Sequence, residues 1–193
     1  MCYNLNIMNF VTLDFETAKY ARESACAIGL VKFEEGRETG SFYSLIRPPD
    51  LYIRPDFTDI HGLTVEDVRG APVFSEIWES VRQFAGDLPI AAHNAGFDMR
   101  VLEAVLAWYG LASVRLKYFC TLALSRAAWP GLPSYSLSNL GKHFGITYKA
   151  HDALEDARTC GLLACKAAEK LGALDVKGTL KAARVRMRSL KFH

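Results

Sequence analysis

A chain of 193 residues and 21.5 kDa, half hydrophobic and 23% charged, suits one globular domain with a sizeable core. No apolar run is long enough to span a bilayer, and five cysteines without a CxxC pair argue against a disulfide framework or a zinc knuckle, so no membrane partner and a cytoplasmic location are expected. The net charge of +2 is uneven, because residues 177–193 hold six Lys/Arg and no acid while the remainder is acidic.

Residues 1–8 lack the basic start and apolar core of a secretory signal and read as a short leader, with Met8 as a possible start. In "NFVTLDFETAKY" (9–20), Val11, Leu13 and Phe15 alternate with Thr12, Asp14 and Glu16, the period-2 pattern of a strand. Alternate side chains share a face, so Asp14 and Glu16 stand about 7 Å apart at their Cα atoms. Two readings stand for this stretch alone: an acidic face turned to water, or two carboxylates gathered round a divalent cation.

"ACAIGLVKFEEG" and "ETGSFYSLIRPP" read as two further strands joined by a turn at Glu34–Glu38, completing an antiparallel meander. The Pro-rich "RPPDLYIRPDF" reads as a loop. Thr64-x-x-Asp67 can cap a short turn, and Val73, Phe74, Ile77, Trp78, Val81 and Phe84 recur at helical spacing. "LPIAAHN" is a short buried strand that leads into a helix ended by Gly110, on which Phe97, Val101 and Leu102 should face the core. "RLKYFCT" is another strand. Helices follow from about Thr121 to Ala128, around "SLSNLGKHFGI", and through "DALEDARTCGLLACKAAEKLG". The basic tail 173–193 reads as a solvated end or a linker. The fold expected is α/β, a mixed five-stranded sheet with an antiparallel three-strand meander and two parallel strands, flanked by helices.

Asp98 near one helix start, and Asp152, Glu155 and Asp156 near another, each fit the helix dipole without any function. Taken together with Asp14 and Glu16 they offer a different reading. Four carboxylates and the loop residue His151 converging at the strand ends would repel one another without cations. Oxygen-only ligands select Mg²⁺ or Mn²⁺, and a nearby imidazole can take a proton from water.

"DFET" (14–17), "HNAGFD" (93–98) and "HDALEDA" (151–157) resemble the three motifs of the DEDDh 3′–5′ exonucleases, the group of polymerase proofreading subunits and RNase T. The resemblance covers roughly residues 9–172 and implies an RNase H-like exonuclease domain over that span. Its implied roles are Asp14 bridging two divalent cations, Glu16 and Asp156 completing the tighter one, Asp98 acting on the second, and His151 as general base. Asp152 stands where the sister branch carries Tyr, so the histidine branch is indicated. Phe15 and Thr17 would hold the terminal nucleotide, although strict alternation sends Phe15 inward. His61, in "DIHGLTVEDV", would line the 3′ pocket or fix its loop, and Asn94 would support the site. The implied activity is hydrolysis from single-stranded 3′ ends, with DNA favoured and nucleoside 5′-monophosphates released. An RNA-processing exonuclease or oligoribonuclease, or a non-cutting module docked on a polymerase or helicase, are the rivals, and a DNA polymerase or other replication or repair protein is the expected partner.

Overall fold

The computed structural model describes residues 8–111 and 115–191. Residues 1–7 of the expected leader lie outside them, but Met8 is buried in the core and its carbonyl accepts a hydrogen bond from Gly36 N–H (3.1 Å).

Three strands open the chain: β1 (Phe10–Thr17), β2 (Ala25–Glu34) and β3 (Arg37–Leu45). They form the expected antiparallel meander, with Glu35 and Gly36 at positive φ (52° and 74°) in the tight turn between β2 and β3. Two short helices follow, α1 (Pro55–His61) and α2 (Val65–Arg69), then α3 (Phe74–Ala85). The Pro-rich loop is therefore shorter than expected. Pro55 takes the first position of α1, where a missing N–H costs nothing and the fixed φ suits a helix. Asp67 Oδ2 accepts from both the backbone N–H and the hydroxyl of Thr64 (2.7 Å each) at the start of α2.

The remaining elements are β4 (Ile90–Ala92), α4 (Gly96–Trp108), β5 (Arg115–Cys120), α5 (Thr121–Ala128), α6 (Leu137–His143), α7 (Ala153–Lys170), α8 (Val176–Ala183) and β6 (Arg188–Lys191). The strand order is β3-β2-β1-β4-β5-β6, with β4 parallel to both β1 and β5. This is the RNase H-like mixed sheet, with six strands rather than five. The extra strand comes from the tail: β6 pairs antiparallel with β5, and Leu180 and Ala183 of α8 join the core beneath α7. The tail expected to be solvated is folded onto the body.

Both faces of β1 are covered. Val11, Leu13 and Phe15 pack with Phe74, Trp78, Val101 and Leu102 of α3 and α4. The opposite face lies under α7, where Phe10 stacks on Phe33 (centroids 5.1 Å apart) and both join a cluster with Ala157, Ala164 and Ala168. Asp14 and Glu16 belong to this second face, at the end of β1 where α7 begins. No helix among the described residues is long and apolar enough to cross a membrane.

Candidate active site

Asp14 is paired across the sheet with Gly29 of β2, and the first turn of α7 lies directly over that glycine. A Cβ at position 29 would stand 2.3 Å from the Ala153 carbonyl oxygen and 2.5 Å from Leu154 N. The missing side chain is what lets the helix start reach the strand. Asp152 caps that start, accepting from Leu154 N–H (3.2 Å) and Glu155 N–H (3.3 Å). Arg158, one turn further on, bonds Glu38 of β3 through Nε (2.9 Å to Oε2) and Nη2 (3.1 Å to Oε1), which ties α7 to the sheet edge.

Asp156 therefore faces Asp14 and Glu16. Its Oδ2 accepts from the backbone N–H of His151 at 2.8 Å, and His151 holds φ at 63° to make that turn. Glu16, His151 and Asp156 each offer a ligand atom within 4.8 Å of the others. Asp98, in the first turn of α4, approaches from behind. It is 1% exposed and its Oδ1 accepts from Phe15 N–H at 3.3 Å. A cleft of about 260 Å³ opens over the group, lined by Asp14, Phe15, Glu16, His151 and Asp156 together with His93, Phe97, Ser136 and Tyr148 among others.

The electrostatics show how close these groups are. Burial, and then the charges of Asp98, Asp156, Glu16 and Asp152, hold the Asp14 carboxyl well above the usual range. Burial and the charges of Asp156, Asp98 and Asp152 push Glu16 up to about 8. Asp98 is pushed up to about 7 mainly by burial, against hydrogen bonds from its own backbone N–H and that of Phe15. Burial also raises Asp156, while the bond from His151 N–H opposes it. The Tyr148 hydroxyl, raised by burial and by the Asp156 charge, is itself buried and lies against the Asp156 carboxylate without a well-formed hydrogen bond.

That donor set fits a hard divalent cation. It is made of buried, crowded carboxylate oxygens beside the Tyr148 hydroxyl, and a hydrated cation would relieve their repulsion and supply hydrogen bonds.

The other expected contact residues are placed less uniformly. Phe15 is a core residue, its ring 6.2 Å from that of Phe74, yet it also lines the cleft. Thr17 is buried, beside the register shift that ends the β1–β2 ladder. His61 is buried outside the cleft. Leu63 N–H donates to its Nδ1 (3.0 Å), so Nε2 carries the hydrogen and donates to the Thr17 carbonyl (3.3 Å). These two bonds join the end of β1 to the loop after α1. Asn94, at φ 65°, is exposed and lines a different pocket.

Phe97 and Tyr148 escaped the sequence reading as cleft residues, and His93 also lines the cleft. Phe97, expected in the core, is 38% exposed and lines the cleft, because the first turn of α4 rises above the sheet there. His93 Nε2 donates to the Tyr135 carbonyl (2.8 Å) and so holds the loop that brings Ser136 to the cleft. Tyr148 carried no sequence signal beyond lying near "HDALEDA".

A family model described as Exonuclease (RNase T) matches residues 11–163, which include all three acidic motifs. This chain belongs to the exonuclease family. The family's 3′–5′ hydrolases are the class its three motifs resemble, and its activity is of that class. The chain is 35% identical over 156 residues to the DNA polymerase III subunit epsilon of Treponema pallidum (strain Nichols), spanning 78% of this chain and 72% of that one. It is 30% identical over 171 residues to the corresponding subunit of Aquifex aeolicus (strain VF5), spanning 87% and 84%. Among solved structures, Exonuclease X in complex with 5′-overhanging duplex DNA aligns with a TM-score of 0.73 at 24% identity, covering 90% of this exonuclease and 98% of that chain. At that identity the likeness is one of fold.

Proposed function

We propose that this exonuclease hydrolyses phosphodiester bonds at the 3′ ends of single-stranded nucleic acid, DNA in the first place, and releases nucleoside 5′-monophosphates in a reaction dependent on two divalent cations, Mg²⁺ or Mn²⁺. The supporting observation is that Asp14, Glu16 and Asp156 line one cleft, with Asp98 buried against the same strand through its bond from Phe15 N–H. These four carboxylates would hold the cations. When bound, such a pair neutralises charge on the attacking and leaving oxygens of an in-line displacement.

The chain's own residues supply the rest. His151, at the exposed rim, takes the proton from the attacking water, and its backbone bond to Asp156 fixes where it stands. Phe97 offers an apolar face at the mouth of the cleft for the terminal base, with the edge of Phe15 beneath. The Thr17 backbone, braced by His61, holds the end of β1 against that nucleotide. Relatedness to polymerase III epsilon subunits supports work beside a DNA polymerase, and a cytoplasmic location agrees with Cys26, Cys120, Cys160 and Cys165 all being free.

The test is hydrolysis of a 5′-labelled single-stranded DNA 20-mer and the matching RNA, with Mg²⁺, Mn²⁺ or chelator. Asp14→Asn and Asp156→Asn should each abolish a cation-dependent ladder of products shortened from the 3′ end, with the circular dichroism spectrum unchanged. Parental rates in either variant would remove the carboxylates from the chemistry, and faster cutting of RNA would overturn the DNA preference.

A further inference from the structure

The turn that carries Asp98 has two sides. His93 and Phe97 face the acidic cleft, while Asn94, Ala95 and Gly96 wall a second pocket of about 500 Å³. The opposite wall of this pocket is the end of the chain: Arg184, Arg186 and Arg188. "RVRMR" (184–188) alternates charge with apolar residues as it runs from α8 into β6. Arg184, Arg186 and Arg188 line this pocket together with Val185, while Met187 lines a different one.

None of these arginines forms an ion pair among the described residues, and no acid lines the pocket. Arg100 adds to the field, because its Nη1 lies 3.4 Å from where a Cβ on Gly96 would stand. Four cations with no ion pair among the described residues, beside a strongly acidic cleft, form a fixed gradient of charge across one turn of chain. Guanidinium forks match phosphate oxygens, and three of them line one pocket.

We propose that this arginine pocket is a second nucleic-acid subsite, which grips the phosphodiester backbone of the substrate strand beyond the nucleotide being removed. The amide of Asn94 lies at its edge on the turn shared with the cleft. The inference rests on the exonuclease reading for the direction of the strand. The folded tail thereby acquires a role: α8 and β6 bring to the site charges that lie nearly 90 residues from Asp98 in sequence.

The experiment reads binding, so that it stands apart from catalysis. An Asp14→Asn protein is titrated by fluorescence anisotropy against a labelled single-stranded DNA 20-mer and a trinucleotide, over a series of salt concentrations. Adding Arg184→Gln, Arg186→Gln and Arg188→Gln should raise Kd for the 20-mer at least about tenfold and flatten the slope of log K against log salt by about 2. The trinucleotide should lose far less, and the triple Lys variant should recover most of the 20-mer affinity. Arg186→Glu alone, in the segment between α8 and β6 where the backbone is neither helix nor strand, should weaken the 20-mer without touching the fold. An unchanged Kd and slope in the Gln variant, or equal losses on the two lengths, would overturn the proposal. A parental protein that binds the 20-mer through this pocket but never cuts it would instead sink the exonuclease reading.

Discussion

Replacing Gly29 with alanine adds one methyl group, and its consequence can be worked out from the packing of α7. The new Cβ would stand 2.3 Å from the Ala153 carbonyl oxygen, 2.4 Å from its carbon and 2.5 Å from Leu154 N, where ordinary contact begins at 3.4 Å. These neighbours are backbone, so no side chain can swing aside. The first turn of α7 must retreat by about 1.1 Å, the difference between 3.4 and 2.3 Å. That turn carries Asp156 and anchors His151, while Asp14 and Glu16 stay on β1, so the retreat opens the group at its centre.

Misplacement of about 1 Å at a reacting centre costs on the order of 10²-fold in rate. Overpacking costs about 1–3 kcal/mol, partly offset by about 0.4–1 kcal/mol from the stiffer unfolded chain. Gly29→Ala should therefore lower kcat on a single-stranded 20-mer about a hundredfold, while Tm falls only by a few degrees. Gly161→Ala is the control. It sits further along the same helix, where a Cβ would meet the buried Phe33 ring at 2.0 Å, so it should destabilise at least as much yet spare more of the rate. If Gly29→Ala keeps parental kcat, or loses no more than Gly161→Ala does, the helix start does not set the site.

The remaining expectations concern the groups in the cleft. His151→Ala should lower kcat by about 10²–10⁴ with little change in Tm, the range for losing a general base, and a smaller loss would move that role elsewhere. Tyr148→Phe removes a buried hydroxyl that lies against Asp156 without a well-formed hydrogen bond, so Tm should change little while kcat falls by about tenfold, roughly one hydrogen bond. In chelator, stability should fall as pH rises. Glu16 and Asp98, lifted to about 8 and about 7, keep protons in the native state that the unfolded chain has already released above about pH 4.5. The contribution is complete at acid pH and is lost through pH 7–8, at most about 1.4 kcal/mol per pH unit for each group. Scanning calorimetry should accordingly show a lower Tm at pH 8 than at pH 5.5 without metal, and a larger gain from Mn²⁺ at pH 8; the opposite order would refute the coupling.

What the sequence discloses here depends on the range of the physics involved. Asp14 and Glu16 were legible because strand alternation is a two-residue rule, whereas Asp152 was read as a first-turn acid and proves to cap α7 instead. Phe97 was misplaced since a first helical turn has no preceding turn to define its inner face, and β6 was missed since four residues of a basic edge strand carry too little pattern to be recognised. Helix α1 was hidden by the very residue that starts it, because Pro55 reads as a breaker until its neighbours show that it stands at the first position. Gly29 is the instructive case. Within "ACAIGLVKF" a lone glycine in a strand means a bulge, a weak point or a close approach, and nothing local separates the three. The choice is made by register: one residue earlier or later along β2, and the gap would not lie beside Asp14 under the backbone of Ala153. The acids of this exonuclease are thus written locally, but the distance between them is set by a side chain that is not there.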